Sequence, residues 1–97
     1  MERGAMLTTL ELVKFRIGLN TTVMDNYLLS IIDSVKNELH SQQGIDIDED
    51  YPDDQMFLAD YTAYRYLNRD EPTDMPRHLQ YRLHNLYIKK GGKNEIW

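Results

Sequence analysis

The chain has no cysteine among its 97 residues. That excludes disulfide bonds, thiol catalysis and cysteine-ligated zinc. Glycine is scarce at five residues and proline scarcer at three, so each one is informative as a boundary. No apolar run approaches the ~20 residues that a bilayer-spanning helix needs. Neither a membrane segment nor a signal peptide is expected. Positive charge is also short: 11 Lys and Arg face 16 Asp and Glu, for a net charge of −5. A protein that grips DNA through its phosphates needs a basic face, so this balance argues against one. The motifs of serine hydrolases, phosphate-binding loops and zinc proteases are missing. His78 and His84 are six apart and point to different sides of a helix, and His40 follows the last core leucine of its own helix. The many carboxylates have no evident acid/base partners. No enzymatic activity, cofactor or metal is expected.

What is present is a pattern of helices. Hydrophobic residues make up 41% and charged residues 28%, ordinary for a globular chain, and the length fits one domain. The amphipathic pattern starts after Met6, so residues 1–5 read as an appended remnant, residues 7–90 as a single helical domain and residues 91–97 as a flexible tail. Thr8-x-x-Glu11 is a capping box opening a short helix that should end near Arg16, with Gly18 and Asn20 breaking the pattern. A second helix is expected from about Thr22. Met24, Leu28, Ile31, Ile32, Val35 and Leu39 recur along it at helical spacing, and Gly44 stands where a left-handed terminal residue belongs. Pro52, Asp53 and Asp54 suit the first turn of a third helix running to about Asn68. A fourth should run from Pro76 to about Lys89, with Leu79, Leu83, Leu86 and Tyr87 on one face. No stretch alternates as a strand would. The expected class is all-α: a compact bundle of about four helices with short loops.

Residues 46–54 read DIDEDYPDD. Alternating Asp46, Asp48 and Asp50 match the opening of an EF-hand calcium loop. Such a loop also needs glycine at position six and glutamate at position twelve. Here those positions hold Tyr51 and Phe57. The segment therefore reads as a charged connector that starts the third helix, and calcium binding remains an alternative at most weak in affinity.

Two further features stand out. Asp60 falls inside the expected core stripe of the third helix, Met56, Phe57, Ala63, Tyr64 and Leu67. It reads as an edge carboxylate bonded to a tyrosine or arginine, with a buried anchor as the sharper alternative. There is also more apolar surface than one stripe per helix requires. Leu58 and Tyr66 lie off that stripe near Arg65 and Arg69, Tyr81 and Ile88 lie off the leucine face of the fourth helix near Arg77, and Leu12 and Phe15 form a second side on the first. Tyrosine, leucine and arginine together have the composition of a protein interface, so self-association is expected through Leu58, Arg65, Tyr66, Arg69, Tyr81 and Ile88.

The run from Leu7 to Lys90 resembles the small helical head–tail connector (adaptor) proteins of long-tailed bacteriophages and prophages. The likeness rests on LTTLELVKFRIGL, on DNYLLSIIDSVKNELHSQQG, on ADYTAYRYLNRDE with its helix-ending Asn68-Arg69-Asp70-Glu71, and on MPRHLQYRLHNLYIKK. The resemblance implies a non-catalytic virion protein at the head–tail junction, present in the host cytoplasm before assembly. It implies a ring of roughly twelve subunits beneath the portal that extends the DNA channel and docks stopper and tail proteins. DNA would pass through without sequence-specific contacts, and negative channel walls would let it slide. The sequence departs from that family in its acidic 46–54 linker and its short tail. A second expectation is a small helical DNA-binding or transcription-regulating protein, with residues 10–28 strained into a helix-turn-helix.

Overall fold

The structure is a computed structural model that describes residues 7–71 and 74–91. Among the described residues it is all-α, with helices α1 (Thr9–Ile17), α2 (Asp25–Glu38), α3 (Pro52–Leu67) and α4 (Arg77–Lys89). The expected remnant, residues 1–5, and the tail beyond Gly91 lie outside the described residues.

Local chemistry sets most boundaries. The capping box of α1 is reciprocal: Thr8 Oγ1 accepts the Glu11 N–H at 3.1 Å, and the Glu11 carboxylate accepts the Thr8 N–H at 2.8 Å. Gly18 ends α1 at φ 74°, with the Leu19 N–H turned back to the Lys14 carbonyl, a Schellman closure. α2 starts at Asp25, three residues after the expected Thr22. Thr22 contributes its backbone carbonyl to a turn with the Asp25 N–H and supplies no side-chain cap, so helical geometry begins only beyond that turn. Pro52 occupies the first turn of α3, and Pro76 immediately precedes α4.

The end of α2 widens into a π-helical turn, Leu39–Gln43, which closes when Gly44 takes φ 68°. The Ile45 N–H then reaches the Leu39 carbonyl at 3.0 Å, and both side chains enter the core. A Cβ at Gly44 would meet nothing within 4 Å, so its only penalty is the left-handed backbone. Gly44→Ala is expected to lower unfolding free energy by about 1 kcal/mol, read as a lower urea midpoint with an unchanged slope.

α3 is the central helix: it packs on α1, α2 and α4. It is therefore buried on several sides, and the single expected stripe needs correction. Phe57 and Ala63 are core, but Met56 and Leu67 are exposed. In their place Leu58, Ala59, Tyr61, Thr62 and Tyr66 face inward. The second apolar side of α3 is thus consumed by the chain's own helices. Leu28, Ile32 and Val35 of α2, Val13 of α1, and Leu79, Leu83 and Leu86 of α4 complete the core.

Candidate interaction surface

Two carboxylates, one nearly and one fully buried, organise the polar framework. Asp60, nearly buried on α3, faces two guanidiniums: Arg16 Nε of α1 at 3.0 Å and Arg82 of α4 at 2.7 Å. The expectation of an arginine partner holds, and the carboxylate lies inward of an edge position, joining three helices. Asp54, fully buried in the first turn of α3, accepts the Asp48 N–H at 2.9 Å and meets Lys90 Nζ at 2.7 Å. Beside it Lys89 bonds Asp53 at 3.0 Å and lies over the Tyr51 ring. The basic end of α4 is thereby fastened to the acidic start of α3.

The remaining acids of the loop are also engaged. Asp46 pairs with His40, the Asp48 carboxylate accepts the Asp50 N–H, and Glu49 takes both Lys36 and the Thr9 hydroxyl. Among the described residues no group of His, Asp or Glu is arranged to hold a metal ion. Accordingly, the melting temperature is expected to be the same in calcium as in chelator; a rise with calcium would restore the metal reading.

Two bases are shifted. Burial of Arg65 works against its charge, but bonding to Glu38 and to Tyr61 outweighs it and raises the pKa. Hydrogen bonds to Asp53 and then Tyr51 raise Lys89 above its ordinary 10.5. A raised basic pKa stabilises the fold fully below the unfolded value and stops doing so as pH climbs through the folded one. The Lys89 contribution should therefore persist to about pH 10.5 and fade above it. Melting scanned into strongly alkaline solution should fall less steeply in Lys89→Gln than in the parent.

The six sequence-selected interface residues separate. Leu58, at 0% exposure, belongs to the core and has no surface to offer. Tyr66 is also buried, edge-on to Tyr27 and covered by the Arg69 guanidinium at 4.0 Å from its ring. Arg65 is half-buried and bonded to Glu38 at 2.9 Å. Arg69 is exposed and donates to the Tyr66 carbonyl. Only Tyr81, at 69% exposure, and the half-open Ile88 present apolar surface. They lie seven residues apart, on one outer face of α4 with Arg77.

Other exposed apolar groups were less evident from the sequence. Phe15 on α1 and Val23 in the following turn are each 83% exposed, and Leu67 at the end of α3 is 62% exposed. Between the first turn of α1, α2 and the acidic loop runs a groove of about 550 Å³. Leu7, Leu10, Leu29 and Ile32 supply its apolar lining. Lys36 is the sole basic residue of α2 and is tied to Glu49. Seven residues separate α1 from α2, more than the tight turn of a helix-turn-helix. No family model, curated protein or solved structure matches the chain.

Proposed function

We propose that this protein is a structural connector subunit of a phage-type head–tail junction, working by contacts between copies of itself and with portal, stopper and tail proteins. The observation that carries the reading is the strongly exposed apolar set, Phe15, Val23, Leu67 and Tyr81, on a chain with its own closed core. Surface of that kind fits a protein that completes itself by association. The resemblance from Leu7 to Lys90 supplies the setting. The net charge of −5 supports a DNA passage over a DNA grip, because acidic walls repel phosphate.

The neighbouring open reading frames give one test: portal and major capsid genes are expected upstream. The purified chain gives another. Sedimentation over a concentration series should show self-association, and electron microscopy should show closed rings. A strict monomer that shifts duplex DNA at low salt would overturn the proposal in favour of a regulator.

A further inference from the structure

We infer that copies of this chain join head to tail, with Phe15 of one copy seated in the groove between α1 and α2 of the next. The inference rests on the self-association proposed above and specifies the surfaces that meet.

The first observation is a projecting side chain. Phe15 is among the most exposed large apolar residues, although α1 is short and its inner side, through Thr9 and Val13, is buried. The second is a receptor of suitable chemistry. The groove has Leu10, Leu29 and Ile32 along it and room, at about 550 Å³, for an aromatic ring. An aromatic anchor entering a pocket is the usual core of a protein contact.

Charge agrees with the match. Asp33, Glu49 and Asp50 stand at the groove against a single base, Lys36. Next to Phe15 is Arg16, whose side chain remains 55% exposed while Asp60 holds its Nε. A basic flank would thus meet an acidic rim. Opposite potentials across an interface set register and favour encounter.

Geometry excludes the alternative in which Phe15 fills the groove of its own copy. Leu10 forms part of the wall, and Phe15 lies five residues further along the same helix. At 3.6 residues per turn it points about 140° away from Leu10. The projection and the groove are therefore different patches of one molecule. Contacts between different patches are heterologous: each copy keeps one free projection and one free groove, so the chain of contacts propagates and closes as a ring when the rotation permits.

Phe15→Glu and Leu29→Glu test this directly. Both residues are exposed, and unchanged helical circular dichroism would confirm the fold. Each variant alone should associate at least about 30-fold more weakly than the parent, the effect of removing a central anchor. Mixed one to one, they should form a heterodimer, because one intact projection then meets one intact groove. Persistent parent-like assembly by either variant overturns this contact while leaving self-association standing; so does a mixture that stays monomeric. A parent chain that is monomeric throughout overturns both.

Discussion

Leu58→Ala is expected to lower unfolding free energy by about 3 kcal/mol. Leu58 is wholly enclosed in the core cluster on the central helix. Its truncation loses the transfer energy of the removed carbons and leaves a space that surrounding helices cannot fill without moving. For a domain of 97 residues, total stability is on the order of 5–15 kcal/mol, so the variant should approach the edge of folding at body temperature. Tyr81→Ala makes the control. Its ring is on the outer face of α4, and its loss should stay within about 0.5 kcal/mol in the isolated chain. Urea denaturation of the two variants decides the matter. Equal and small effects would put Leu58 on a surface, where its place in the sequence first sets it.

Asp54→Ala should cost about 2 kcal/mol, from two sources. The Asp48 N–H loses its acceptor in a part-buried hydrogen bond to a charged group, a kind of bond worth roughly 1.5–3 kcal/mol. Lys90 loses its carboxylate, though it stands near enough to water to be rehydrated, which limits that share. Lys90→Met leaves the opposite defect, a buried carboxylate without its cation, and is expected to cost a similar amount. The double variant should then cost less than the two singles together, because each single already destroys the shared interaction. Strict additivity in denaturant melts would show that Asp54 and Lys90 stabilise the fold independently.

The parts of the fold visible in the sequence are those governed by nearest neighbours. Thr8 with Glu11, Gly44 with Ile45, and Pro52 all specify local backbone geometry, and each acts where its chemistry predicts. The leucine face of α4 was equally plain, because α4 packs inward on one side, and Tyr81 could be placed outside by the same logic. α3 defeated that logic. A helix enclosed from several directions has no single stripe, and its buried side includes Asp54, Gln55 and Thr62, whose polarity disguises it. Asp54 is buried only because Lys90 and the Asp48 amide arrive from elsewhere in the chain, and no local pattern announces them. Asp60 was recognisable as misplaced within its helix, yet its two arginines come from α1 and α4. The candidate surface was similarly half-legible. Phe15 could be seen as belonging to a second side of α1, but a groove assembled from α1, α2 and the acidic loop exists only after folding.

Enclosure of α3 by α1, α2 and α4 also sets a hierarchy of motion. Amide hydrogens around Leu58 and Thr62 cannot meet solvent while the three outer helices remain in place, so they should exchange with deuterium only when the whole domain opens. Beyond the core residue Leu86, the end of α4 is held by Lys89 and Lys90 through the carboxylates of Asp53 and Asp54; it can lift without disturbing the centre, and its amides should exchange first. The protein would then keep a slow interior beneath a quickly breathing end, and the helix with the least access to water would be the clock for its global unfolding.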